Sequence, residues 1–283
     1  MRKKLGIVIN FCTNEYRFLG PCIEAAQKVT EHVVVVVADH FFDGTLEDRS
    51  LLIRAYRENP DCQFLEFAFE PNRNLYGRHP ICFWHNWGRL LGYRHFGEKV
   101  NFILFLDVDE ILEPQIFQEW FECEEHANAE RLSSYWYFKE STLRAKHWED
   151  GLLLARRQYL SSESIMHHLE RAGTYFSIEG CKRRNVVGLD GKPMAHHYSW
   201  VRSKQEMLRK VKAWGHRNDA PWEQLVEEEF SRPFNGHDFI YGDTFDVVTS
   251  LLPPQEPFFK VAGDIKNVRF ISTDEMHRME LLC

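Results

Sequence analysis

The sequence is short of paired cysteines, of net positive charge and of long apolar runs. None of its seven cysteines stands in a Cys-x-x-Cys spacing, so neither a zinc ribbon nor a thioredoxin-like site is expected. No Asn-x-Ser/Thr sequon occurs. The formal net charge of −7 argues against a general nucleic-acid binder, which needs a basic face. No apolar stretch approaches the length of a membrane span. The start, Met1-Arg-Lys-Lys4, is too brief for a basic arm, and the residues after it lack the apolar core and cleavage site of a signal peptide. No Gly-rich phosphate loop is followed by a lysine. These absences lead us to expect a protein of a reducing cytosol, without a transmembrane segment, cytoplasmic or peripheral to a membrane.

What is present is ordinary globular material. Hydrophobic residues make up 44% and charged residues 27%, which a disordered chain would not have. Aromatics run high, with 22 Phe and 8 Trp; they serve a core or a sugar site, and composition does not choose. No Pro/Ser-rich linker divides the 283 residues. We therefore expect one domain over 1–283, with one half at 1–112 and a second at 113–283.

The first half alternates. Leu5–Phe11, Val33–Ala38 with its five valines, Gln63–Phe69 and Phe102–Leu106 read as strands. Helical spacing lies between them, over Glu15–Ala26, Leu46–Asn59 and Ile81–Phe96, with a loop at Pro71–Gly77. Such alternation predicts an α/β fold whose mainly parallel sheet is flanked by helices. The second half is less regular. Pro114–Ala127 suggests a helix, Ser134–Phe138, Gly151–Ala155 and Met194–Trp200 suggest strands, and Ser203–Glu206 is a capping box before an apolar stripe ending at Trp214. Beyond Pro221 few elements are legible.

The fourth strand runs straight into Asp107-Val-Asp109-Glu110. Unpaired carboxylates cannot share a strand's burial, so they emerge at its C-terminal edge, where open α/β sheets bind ligands. Alternation puts Asp107 and Asp109 on one side of the chain. Two hard oxygen ligands suit Mg2+ or Mn2+, which completes its shell with substrate phosphates. A bare Asp-x-Asp is also a common acidic turn; its place after three ordered strands is what gives it weight.

The order of parts resembles a glycosyltransferase of the GT-A fold, close to the family 2 pattern. The features that carry it are Val33–Val37 ending in Asp39, the turn Asp43-Gly44-Thr45, the helix with Asn86 and Arg89, and Phe102–Asp109. The second half is similar to the glycosyltransferases related to bisecting N-acetylglucosaminyltransferases, through Asp-x-Asp-Glu, Tyr135–Phe138, His197-Tyr-Ser-Trp200 and Lys204–Trp214. The resemblance implies a hexosyl- or N-acetylhexosaminyltransferase. It would move a sugar from a nucleoside-diphosphate donor to a hydroxyl of a glycan, lipid or protein, with Mn2+ or Mg2+. Asp107, Asp109 and His197 would hold the metal. Phe11, Thr13, Glu15 and Asp39 would face the donor, together with Asn86, Arg89 and Val108. Arg202, Lys204, Lys210 and Lys212 would add positive charge. An inverting enzyme also needs a carboxylate base; Glu140, Glu149, Asp150, Glu179 and Asp190 are candidates, with Asp150 and Glu179 put forward as catalytic. The alternatives are an aspartyl-nucleophile phosphatase acting through Asp107, or an inactive nucleotide-sugar-binding module.

Overall fold

Apolar strands and amphipathic helices alternate through the first half. The computed structural model describes residues 3–70, 80–213, 216–253 and 264–280. The expected loop at Pro71–Gly77, and Trp214 at the end of the apolar stripe, lie outside the described residues. β1 (Leu5–Phe11) is buried along its length. α1 (Tyr16–Val29) comes next, with Pro21 inside it, and buries Phe18, Leu19, Cys22 and Ile23. β2 (Val33–Ala38) holds the valine run. α2 (Arg49–Glu58) starts at Asp48, whose side chain accepts from the Ser50 and Leu51 amides, as an N-cap should. β3 (Gln63–Phe67), α3 (Pro80–Phe96) and β4 (Phe102–Asp107) complete the series.

The second half adds β5 (Glu110–Leu112), α4 (Pro114–Cys123), β6 (Ala129–Phe138) and β7 (Leu143–Arg156). It continues through α5 (Ser162–Ile165), α6 (Glu170–Ser177), β8 (Lys182–Val186), β9 (Ala195–Trp200) and α7 (Lys204–Ala213). α8 (Trp222–Phe230), β10 (Phe245–Val247), β11 (Val268–Ile271) and α9 (Thr273–Glu280) complete the strands and α-helices among the described residues. Of these, β5, β8, β10, β11, α5, α6, α8 and α9 were not read from the sequence.

The strands form one sheet in the order β11-β3-β2-β1-β4-β7-β6-β9-β5, with β10 beside β7 and β8 beside β6. From β11 to β4 every neighbour is parallel. β7 then enters antiparallel between β4 and β6. This is the α/β architecture expected of the sequence: a central, mainly parallel sheet flanked by helices.

Strand alternation divides the core. Ile7, Ile9 and Leu104 pack with α1, α2 and α4 on one face. Val8, Ile103 and Phe105 pack with α3 and with Ile165, Tyr175 and Met276 on the other. At Gly92 a Cβ would sit 2.4 Å from a Val8 methyl, so glycine is what lets α3 lie against β1. A third cluster, around Trp136, Phe138, Trp200, Met207 and Val226, lies under α7 and α8. Among the described residues, no helix is long and apolar enough to cross a membrane.

Candidate functional site

The chain leaves β1 towards β2 and β3, and returns to β1's other side with β4. Between those two strands the connections diverge, which is where open α/β sheets leave a crevice. Asn10 and Asp107 are register partners there. A cavity of about 550 Å³ opens at this edge, lined among others by Phe11, Glu15, Asp107, Asp109, Glu149 and His197. That volume suits a small-molecule ligand.

Asp107 and Asp109 line the same cavity but hold different partners. Asp107 ends β4. Its Oδ1 accepts from Arg89 Nη2 at 3.0 Å and lies 3.2 Å from His85 Nε2, and its Oδ2 is 3.2 Å from Arg171 Nη2. Burial would raise the Asp107 carboxyl pKa, but Arg171, His85 and Arg89 hold it well below the usual carboxylate range. Arg171 also grips Glu110 with both Nη atoms, at 2.5 and 2.7 Å, a fork geometry lysine cannot reproduce. Glu110, 1% exposed, takes the Asp107 amide at 2.8 Å as well. Glu170 closes the cluster at 3.3 Å from His85 Nδ1 and 3.6 Å from Arg89. Its φ of +52° is left-handed, a strain of roughly 1 kcal/mol or more that these two cations offset.

Asp109 lies in the turn that follows β4 and is 3% exposed. Its Oδ2 is 3.3 Å from Lys210 Nζ and 3.6 Å from Arg202 Nη2. Glu15 Oε1 accepts from the same two cations, at 2.9 and 2.7 Å. The other Asp109 oxygen faces His197 Nε2 across 3.6 Å. β5 and β9 run antiparallel with Glu110 opposite His197, which is what brings the two stretches together. On its far side His197 Nδ1 is hydrogen-bonded to Glu149. Burial would lower the His197 pKa, but Glu149 and Asp109 outweigh it and raise the pKa to about 10. Burial would raise the Glu149 pKa; His197 lowers it.

The folded pKa of His197 is therefore above its unfolded value of about 6.5. Its stabilising contribution is complete below that value and is lost as pH rises through 10. Urea unfolding of the wild type and of His197→Gln, compared at several pH values from 6 upward, is expected to give a difference that shrinks with pH. A difference that does not change with pH contradicts a protonated His197.

The other sequence candidates have varied surroundings. Phe11 and Glu15 line the cavity. Thr13 is buried, and both its amide and its hydroxyl donate to Glu47. Burial raises the Glu47 carboxyl pKa to about 8 against those two bonds. Asp39 accepts from the Phe69 amide and sits beside His40 Nδ1, both at 2.8 Å; its neighbours Ala38 and His40 line the cavity. Asn86 donates to the His167 carbonyl at 2.6 Å and accepts from Arg89 at 3.0 Å, so both it and Arg89 act from behind Asp107. Val108 is fully buried, its amide on the Asn10 carbonyl. Asp150 is 2.7 Å from Arg184 Nε, and Glu179 is exposed; neither lines the cavity. Of the five proposed bases, Glu149 does. Sequence reasoning missed His85, Glu170 and Arg171. No local pattern marks them, because each acts across the fold.

No family model matches the sequence. No curated protein matches it either. Solved structures align with it. The bifunctional glycosyltransferase WbbM does so over 81% of this chain and 52% of its own, at 10% identity and a TM-score of 0.40. The glycosyltransferase GlyE of Streptococcus pneumoniae covers 81% of this chain and 64% of its own, at 11% identity and a TM-score of 0.37. The mannosyltransferase PcManGT of Pyrobaculum calidifontis, solved with GDP-Man and Mn2+, covers 81% and 69%, at 12% identity and a TM-score of 0.43. The chain thus spans about half the length of the first and about two thirds of the other two. These alignments concern backbone arrangement; what the cleft can do depends on its own side chains.

Among the described residues, no three His, Cys, Asp or Glu side chains converge as a metal-ligating group. The donor set still suits a cation that borrows ligands from its substrate. Asp109 Oδ1 and His197 Nε2 face one another at 3.6 Å, and Glu149 holds the other imidazole nitrogen, the orientation a carboxylate gives a metal-bound histidine. Mg2+ is commonly held by one or two carboxylates plus phosphate oxygens. Asp107 does not join that pair, since its oxygens are taken up by Arg89, His85 and Arg171.

Proposed function

We propose that the chain is a glycosyltransferase that takes a nucleoside-diphosphate sugar and a divalent cation, Mn2+ or Mg2+, and transfers the sugar to an acceptor hydroxyl. The observation that carries this reading is the Asp109–His197–Glu149 line in the cavity at the edge of β1 and β4, with Lys210 beside it and Arg171 lining the same cavity. Asp109 Oδ1 and His197 Nε2 would hold the cation, which would displace the proton that Nε2 carries in its absence. When bound, it offsets the charge that builds on a departing diphosphate.

The chain's own residues supply the rest. Lys210 and Arg171 line the cavity as fixed cations, positioned by Glu15, Asp109 and Glu110. Held by these ion pairs, they need no reorganisation as charge develops on the leaving group. Phe11, with Val36 and Ala38 of β2, would give the donor side an apolar wall. An inverting transfer needs a carboxylate to take the acceptor proton, and Glu149 is the proposed base in reach of the cavity.

A thermal-shift screen of nucleoside diphosphates, with and without Mn2+, tests the reading. One nucleotide is expected to raise Tm, and more so with Mn2+; at a hundredfold excess over Kd the stabilisation is about 2.7 kcal/mol. No shift with any nucleotide, metal present or absent, overturns it.

A further inference from the structure

The far end of the same cavity has a different chemistry. It is lined by Trp136, Trp200, Trp222, Ile240 and Tyr241, with Glu149, Ser199, His216 and Asp219 among them. The aromatic rings are fixed in place. The Trp222 indole N–H donates to the His216 carbonyl at 2.7 Å, and its ring packs on Trp200 with centroids 6.0 Å apart. Tyr241 meets Trp136 edge-on at 5.3 Å and remains 60% exposed.

Tyr241 sits on a loop with a built-in anchor. The buried carboxylate of Asp238 accepts from the amides of Ile240, Tyr241 and Gly242 through Oδ1, at 2.7, 2.6 and 3.3 Å, and from Asp243 through Oδ2 at 2.7 Å. Gly236 and Gly242 supply the positive φ angles, +89° and +73°, that so tight a loop requires. An exposed aromatic held this firmly is preorganised to meet a ligand.

We propose that this end of the cavity is the acceptor subsite, and that it takes a neutral pyranose of a glycan. The proposal rests on the glycosyl-transfer reading above. A pyranose has C–H faces that lie on aromatic rings and a rim of hydroxyls that donate to carboxylates. The accessible rings of Trp222 and Tyr241, together with Glu149, Asp219, His216 and Ser199, match both parts. An alkyl chain would strip water from the Glu149–His197 and His216–Asp219 pairs and give nothing polar in return, which is costly. An acidic sugar would face Glu149 and Asp219 with like charge. The subsite is continuous with Glu149, so a bound ring meets the donor end at the group that holds His197.

The test titrates cellobiose, lactose and di-N-acetylchitobiose into the full-length protein, with the bound nucleoside diphosphate present, and tracks tryptophan fluorescence. At least one disaccharide is expected to saturate the signal. Trp222→Ala and Tyr241→Ala are expected to weaken that binding by about tenfold or more, while Trp222→Phe keeps most of it. Tyr241 is largely exposed, so its variant reports even if Trp222→Ala folds poorly. The proposal is overturned if no disaccharide binds the wild type, if neither alanine variant changes binding, or if octanoate binds there instead. Disaccharide binding without any nucleotide-dependent thermal shift would sink the transfer reading and keep the subsite. A nucleotide shift without disaccharide binding would sink the subsite alone.

Discussion

Asp109→Ala is expected to lower sugar transfer by about 10²–10³-fold, the scale seen when one fixed electrostatic partner of a reacting group is removed. The substitution removes the oxygen that faces His197 and one of the two carboxylates holding Lys210 and Arg202. Stability falls too, because a buried cation left without its partner costs about 3–5 kcal/mol. The lower end applies here, since Glu15 still accepts from both cations. The rate of nucleoside diphosphate release and the urea midpoint separate the two effects. Asp109→Asn keeps the volume, so it is expected to recover much of the midpoint and little of the rate. Near-wild-type turnover in Asp109→Ala would dismiss Asp109 from the mechanism.

Arg171→Ala is expected to have the largest effect on stability. It strips the bidentate partner from Glu110 and one of three cations from Asp107. Burial of that unpaired charge corresponds to roughly 3–5 kcal/mol, and so to a drop in Tm of about 10 °C. Arg171→Lys keeps the charge without the fork and is expected to fall between. Tm is measured by circular dichroism at neutral pH. A Tm for Arg171→Ala within about 2 °C of wild type would show that the cluster tolerates the loss.

The first four strands were legible because doubly buried strands leave apolar runs, and no residue between Phe102 and Leu106 interrupts the fourth. The acidic stretch was legible for the converse reason: carboxylates end such a run where burial ends. Its internal division was not. Alternation put Asp107 and Asp109 on one side, but a turn begins at Val108, and the two carboxylates meet separate sets of cations. Those cations come from α3, α6, α7 and the segment before α7, and no sequence spacing encodes that meeting. The base candidates fail in the same way. Glu149 and Asp150 are neighbours on β7, yet one meets His197 and the other Arg184. Which of them turns inward depends on the register irregularities between β6 and β7, which composition does not reveal. Past Pro221, the Asp238 anchor was hidden because its bonds go to its own loop's amides and leave no periodic trace.

The position of β7 has a practical consequence for redesign. Because it pairs with β4 on one side and β6 on the other, both banks of the cleft belong to a single hydrogen-bonded plate. Adaptation to the proposed acceptor can then fall on the Asn235–Thr244 loop, which the His237–Thr244 bridge closes on itself and β10 joins to the plate at β7. Loop grafting at those endpoints is a modular operation: the graft inherits a rigid frame, and the residues around Asp109 keep their places.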